Sequence, residues 1–115
     1  MAAAHYRLQN LVVFLDYNKM ALDGLVEDVM GIADITSKWV AFGWFVQRVD
    51  GHNFHELGRA VDRALEEPLR PSMIVADTVK GKGCSFAEGK LGSHKMAFTM
   101  NEAQEAIDHL VNVER

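Results

Sequence analysis

The chain has 115 residues and a net charge of −4, with 49% apolar and 24% charged residues. That is one small globular domain, and its charge gives no electrostatic reason to expect binding to nucleic acid or a membrane. Its single cysteine, Cys84, rules out an internal disulfide. The longest apolar run, Leu11 to Leu15, is too short to span a bilayer and Met1 to Arg7 lacks a signal pattern, so a cytoplasmic protein is expected.

Met1 to Gln9 reads as the tail of a helix. Leu11 to Leu15 is a continuous apolar run rich in β-branched residues, the pattern of a strand covered on both faces. Asp34 to Phe42 is expected to be a helix, with Ile35, Trp39 and Phe42 on one face and Gly43 as its stop. Trp44 to Val49 forms a second strand, ended by Asp50-Gly51. An amphipathic helix follows from Phe54 to Glu66, with Phe54, Leu57, Val61, Ala64 and Leu65 on its apolar side. Pro68 and Pro71 bracket a loop before a third strand, Ser72 to Val79. The glycine-rich stretch Lys80 to Gly92 leads to a last helix, roughly Asn101 to Val113.

Strands alternating with helices favour an α/β class with a parallel sheet. Three strands and about three helices are few for covering both faces of a sheet. The inventory of two Trp, six Phe and six Met is generous for so small a unit. Packing against partners is the expected use of that surplus.

Candidate chemistry gathers beyond the carboxyl ends of the strands, where parallel α/β sheets place their ligands. In Leu15-Asp16-Tyr17-Asn18-Lys19-Met20, the Asn18 amide oxygen and a nearby backbone carbonyl are oxygen donors for a hard cation such as Mg²⁺, with Asp16 a neighbouring carboxylate. The alternative is that Asp16 and Asn18 simply build an Asx-type turn. Lys80-Gly81-Lys82-Gly83-Cys84-Ser85 has the composition of a phosphate-cradling loop, without the Gly-Lys-Ser/Thr triplet of a P-loop. His94, in a glycine-flanked stretch, can hydrogen-bond a phosphate or a reacting oxygen. His52, His55 and His109 read as surface residues. No spacing of histidines or cysteines suggests zinc, and no base is placed to activate Cys84.

Three stretches together resemble the thiamine diphosphate-binding domain of transketolases, especially the N-terminal subunit of forms encoded as two chains. The first runs from Ala3-Ala4-His5-Tyr6-Arg7 through Asp16-Tyr17-Asn18-Lys19-Met20 to Asp23-Gly24. The second is Lys38-Trp39-Val40-Ala41-Phe42-Gly43-Trp44 followed by Val49-Asp50-Gly51-His52. The third is Ala76-Asp77-Thr78-Val79-Lys80-Gly81-Lys82-Gly83, then Ser93-His94. The resemblance implies the later part of a three-layer parallel sheet of the thiamine diphosphate-binding fold, truncated to about three or four strands with flanking helices over residues 1–115.

It also implies thiamine diphosphate with Mg²⁺ (or Ca²⁺) as cofactors. Asn18 would give a side-chain oxygen and Met20 its backbone carbonyl to the metal, in the closing half of a motif that opens with Gly-Asp-Gly. His94 would lie near the cofactor as the candidate catalytic histidine. The family has His-Gly and Ala-Pro hereabouts, where this chain has His94-Lys95 and Ala97-Phe98. The Gly-Asp-Gly segment and the pyrimidine-binding domain, with its activating glutamate, are not in these 115 residues. The expectation is therefore a fragment or subunit of a transketolase-like transferase, inactive alone and partnered by chains that supply those parts, with further copies of itself a second kind of partner. The alternatives are a non-catalytic relic or interaction module, and part of another thiamine-dependent synthase, such as a deoxyxylulose-phosphate synthase relative.

Overall fold

Strands β1 (Val12–Tyr17), β2 (Phe45–Asp50) and β3 (Ser72–Asp77) pair in parallel in the order β1-β3-β2. They belong to a computed structural model that describes residues 1–113. Between and around them lie helices α1 (Ala2–His5), α2 (Val26–Met30), α3 (Ile35–Ala41), α4 (Phe54–Glu66) and α5 (Met100–Val113). The chain divides into two compact units, one of residues 1–17 with 32–78 and one of residues 18–31 with 79 onward.

The first unit holds the sheet. Its central strand, β3, carries five consecutive buried residues, Ser72 to Ala76, because both faces are covered. The strand period of two sorts these side chains. Ile74 packs with Val49, Ala60 and Ala64, and with Val12, Leu57 and Val61 around them, so α4 covers one face. Met73 and Val75 pack with Trp44, Ile35, Trp39, Ala3 and Ala4, so α1 and α3 cover the other. Trp39 meets Trp44 edge to face at 5.0 Å.

Two polar side chains are buried on the α4 face and both bond to that helix; Ser72 Oγ donates to the Ala64 carbonyl at 3.4 Å. Gln47 donates through Nε2 to the Ala60 carbonyl at 2.8 Å and accepts from Arg63 Nε at 2.6 Å, which fastens α4 to β2. Helix α4 starts at Asn53, whose side chain accepts from the amides of His55 and Glu56 at 3.1 and 3.2 Å. Asn53→Ala leaves those amides without their acceptor and is expected to cost about 1 kcal/mol. A urea denaturation midpoint lowered at unchanged slope checks it. Helix α3 is capped likewise by Asp34, which accepts from the Thr36 amide at 3.0 Å and from the Ser37 hydroxyl. It ends at Phe42, with Gly43 following at φ 85.

The expected α/β architecture is therefore borne out, including the helix over Phe54–Glu66. The boundaries of β2 and β3 differ from expectation by one or two residues, since pairing rather than composition sets them: Phe45, not Trp44, is the first residue level with Ser72. Two expectations are corrected. Phe54 and Leu65, expected on the apolar side of α4, are 86% and 72% exposed, because Leu57, Ala60, Val61 and Ala64 form the stripe that meets the sheet. The composition of the run from Leu11 predicts a strand covered on both faces, but β1 is an edge of this sheet and Phe14 is 53% exposed. The residue types of an edge and a central strand overlap, so only pairing separates them.

The second unit contains α2 and α5, with the Asn18 turn and the loop between β3 and α5. Helix α5 opens on a reciprocal pair: the Thr99 amide donates to Glu102 Oε2 at 2.7 Å, and the Glu102 amide donates to Thr99 Oγ1 at 3.2 Å. Phe86 and Phe98 stack at 5.5 Å. Among the described residues, no helix is long and apolar enough to cross a membrane.

Candidate functional site

The carboxyl ends of the three strands are tied to one another. Arg48 on β2 grips Asp77 on β3 through Nε at 2.6 Å and Nη2 at 2.8 Å, and its guanidinium lies over the Tyr17 ring of β1 at 5.4 Å. The bidentate bond to Asp77 raises the Arg48 pKa above its ordinary value. On the opposite side of the strands, Thr78 Oγ1 donates to Asp16. Asp16 is thus a strand residue whose carboxylate already has a protein partner. The Gly51 amide donates to the Asp77 carbonyl at 2.8 Å. A Cβ at Gly51 would fall 2.4 Å from Thr78 Cγ2, so only glycine fits this close approach.

Immediately after β1, the Asn18 side-chain oxygen accepts from the Met20 amide at 2.9 Å. This is the Asx-type turn that the spacing allowed. Lys19, inside it, takes φ 64, the left-handed region that non-glycine residues rarely adopt. Met20 then pairs with Leu25 in an antiparallel bridge. The bonds flanking that bridge run from the Ala21 amide to the Gly24 carbonyl at 2.8 Å and from the Val26 amide to the Lys19 carbonyl at 3.0 Å. They make it the wide kind of pair, in which Met20's own carbonyl faces away from Leu25 and stays outside the ladder.

The turn therefore fixes an amide oxygen and a backbone carbonyl two residues apart. Both are hard donors of the type Mg²⁺ or Ca²⁺ takes. The Asn18 oxygen has a second lone pair beyond the one given to Met20. These residues fit two positions of a hard-cation shell. Among the described residues, no group of three or more His, Cys, Asp or Glu is placed to hold a metal.

The glycine-rich stretch is a closed loop. Its mouth is pinned where the Gly89 amide donates to the Lys80 carbonyl at 2.9 Å. Inside, Glu88 accepts from the Gly83 amide at 2.8 Å and from Lys82 Nζ at 3.0 Å. The Gly83 amide, then Lys82, hold the Glu88 pKa below the ordinary carboxylate range, with His109 a further positive influence. The contribution of this tie to loop stability is complete above the unfolded glutamate pKa and is lost as pH falls through the lowered folded value. The Gly83 amide resonance, followed by NMR, is expected to titrate with a midpoint below that of an ordinary glutamate, and Glu88→Gln abolishes the transition.

His94 sits on a 3₁₀ turn, Leu91–His94, rather than in the open loop expected, and its side chain is exposed. Asn18 and Met20 are brought together, and no hydrogen bond or ion pair among the described residues joins His94 to them. His52, His55 and His109 are exposed, as expected. Sequence reasoning missed Arg48, Asp77 and Glu88. Only the short Lys82-to-Glu88 spacing carried a local signal, a charge pair flanking glycines.

The parallel three-stranded sheet with flanking helices puts the chain in the α/β class. The family described as transketolase, thiamine diphosphate binding domain, matches residues 1–111, and the chain belongs to that family. It is 46% identical over 110 residues to the 6-deoxy-6-sulfo-D-fructose transketolase subunit SqwG of a Clostridium species, which covers 96% of this chain and 40% of that protein. It is 32% identical over 107 residues to an apulose-4-phosphate transketolase subunit of Phocaeicola vulgatus, covering 93% of this chain and 38% of that one. The chain thus spans about two fifths of the length of these curated relatives. Its fold matches the crystal structure of transketolase from Campylobacter jejuni with a TM-score of 0.85 at 24% identity, over 93% of this chain and 17% of that one.

Proposed function

We propose that residues 1–115 form part of one thiamine diphosphate-binding domain and supply the closing half of its metal–diphosphate site, for two-carbon ketol transfer between sugar phosphates. Asn18 would give its side-chain oxygen and Met20 its backbone carbonyl to Mg²⁺ (or Ca²⁺), which would neutralise charge on the diphosphate. The observation that carries this reading is the Asn18 turn. It accepts the Met20 amide, holds Lys19 at φ 64 and turns the Met20 carbonyl out of the local ladder. Left-handed residues serve plain turns as well, as at Arg7 and Ala33, so it is the pairing of the Asn18 oxygen with the Met20 carbonyl that supports the reading.

Thiamine diphosphate, when bound, supplies the electron sink that lets a carbon–carbon bond break and re-form. The chain's part is to hold and orient. Asn18 and Met20 would hold the metal that accompanies the diphosphate, and His94 would donate a hydrogen bond to a phosphate or to a reacting oxygen of the sugar. The Gly-Asp-Gly segment and the pyrimidine-binding domain come from other sequence, on this polypeptide or on partner transketolase chains. That two relatives are named as transketolase subunits supports the partner reading. A cytoplasmic setting fits one half-buried free cysteine.

The test is a ketol-transfer assay with sugar phosphates, thiamine diphosphate and Mg²⁺. The 115-residue chain alone is expected to show no transfer. Co-expression with neighbouring reading frames that encode the two missing parts is expected to restore it. Transfer by the chain alone, or no transfer with both parts supplied, overturns the reading. If no such parts are encoded nearby, a non-catalytic relic becomes the better account.

A further inference from the structure

We propose that Glu88 is a positioning residue, which sets where the loop after β3 delivers His94. The inference rests on the reading of His94 given above and deepens it. The stretch from Lys80 to Gly92 contains four glycines, at 81, 83, 89 and 92. So many freely rotating residues would leave His94 without a fixed place unless something ordered the loop.

Glu88 supplies that order. Its two carboxylate oxygens take separate donors, the Gly83 amide at 2.8 Å and Lys82 Nζ at 3.0 Å, so one side chain ties the far end of the loop to its beginning. Both bonds involve an ionised group and are stronger than neutral ones. The backbone repeats the closure beside it: the Glu88 amide donates to the Cys84 carbonyl at 2.8 Å, and the Gly89 amide to the Lys80 carbonyl at 2.9 Å.

From this knot the order passes directly to His94. The Lys90 amide donates to the Ala87 carbonyl at 3.2 Å. The Lys90 carbonyl then accepts from the Ser93 amide at 3.1 Å and from Ser93 Oγ at 2.8 Å. The 3₁₀ turn Leu91–His94 is built on those bonds. Successive turns therefore connect Glu88 to His94, meeting at the single extended residue Lys90.

The same geometry changes the meaning of the Gly-Lys repeat. The Gly83 amide and the Lys82 ammonium, which have the chemistry to cradle a phosphate, hold an internal carboxylate instead. The repeat serves to seat Glu88, and the anion it was suited to bind is part of the chain.

The experiment uses the full chain with NMR, followed by kinetics on the co-expressed enzyme. Glu88→Ala is expected to shift the Gly83 amide and also the ring resonances of His94. Glu88→Gln keeps one oxygen for the Gly83 amide and is expected to restore the His94 signals most of the way. In the enzyme, Glu88→Ala is expected to lower kcat by up to about 100-fold, the effect of a reacting group misplaced by an ångström. Cofactor affinity should stay unchanged, and Glu88→Ala combined with His94→Ala should be no slower than His94→Ala alone. A released Gly83 amide with unmoved His94 resonances overturns the proposal. If Glu88→Ala does not fold, Glu88→Gln gives the same comparison at smaller amplitude. If His94→Ala leaves kcat intact, the catalytic reading of His94 fails, while the NMR comparison still decides whether Glu88 places it.

Discussion

Truncating Ile74 to alanine is expected to destabilise the chain by about 3 kcal/mol, within the roughly 2–5 kcal/mol range for removing a buried branched aliphatic side chain. Ile74 is fully buried on the central strand, and it is the largest buried residue of the cluster beneath α4. The other buried members are Val49, Ala60 and Ala64, and two of these have no side-chain length with which to fill a hole. Nor can α4 settle into the space, because Gln47 and Arg63 hold its backbone at a set distance from β2. The cavity therefore stays open, which puts the cost above that of methylene transfer alone. Phe14 lies beside Ile74 in register, on the edge strand, and is 53% exposed. Phe14→Ala is accordingly expected to cost less than about 1.5 kcal/mol, though its side chain is larger. Urea denaturation of the two variants checks the ordering, and equal costs would contradict the central position given to β3.

The second large effect concerns binding. In the co-expressed enzyme, Asn18→Ala is expected to weaken Mg²⁺-dependent binding of thiamine diphosphate by at least about 10–100-fold, the loss typical even of residues that only support a metal ligand. Two contributions add. The substitution deletes one oxygen donor, and it releases the Met20 amide, so the Met20 carbonyl loses the turn that aims it. Asn18→Asp separates donor chemistry from turn geometry, since a carboxylate still accepts from the Met20 amide and is a good ligand for a hard cation. Affinity within about tenfold of the parent is expected for it. Calorimetric titration at fixed Mg²⁺ reads both variants. If Asn18→Ala binds cofactor as tightly as the parent, the turn is only a chain reversal.

The features legible in the sequence are those fixed by near neighbours. Helix α4 stands out because Leu57, Val61 and Ala64 recur at helical spacing, although Phe54 and Leu65, read on the same side, are exposed. Gly43 marks the end of α3 for the same local reason. The Asn18 turn is readable in both its senses, and the structure contains the Asx bond that one sense requires. What stays hidden depends on distant partners. The Arg48–Asp77 pair joins residues 29 apart and the Asp16–Thr78 bond residues 62 apart, so no local pattern marks either. Composition cannot tell edge from centre at β1, because Val12-Val13-Phe14-Leu15 suits either. Helix α2, five residues long, and the 3₁₀ turn before Lys95 are too short for periodicity to register.

The chemistry is harder to read than the fold for a physical reason. Family membership comes from three stretches in order, each of which supports packing as much as binding. The residues proposed to meet the cofactor contribute one amide oxygen, one backbone carbonyl and one exposed imidazole. None of these is a charged cluster that would stand out by composition, and each becomes useful only when completed by groups from elsewhere.

That dependence makes the half-site the central claim, and titration of thiamine diphosphate in the presence of Mg²⁺ tests it most directly. The purified 115-residue chain is expected to bind at about millimolar strength or not at all, and its co-expressed assembly at least about a thousandfold more tightly, since two ligand oxygens alone do not make a Mg²⁺ site. Submicromolar binding by the chain alone, or an assembly that binds no better than the chain, would contradict it.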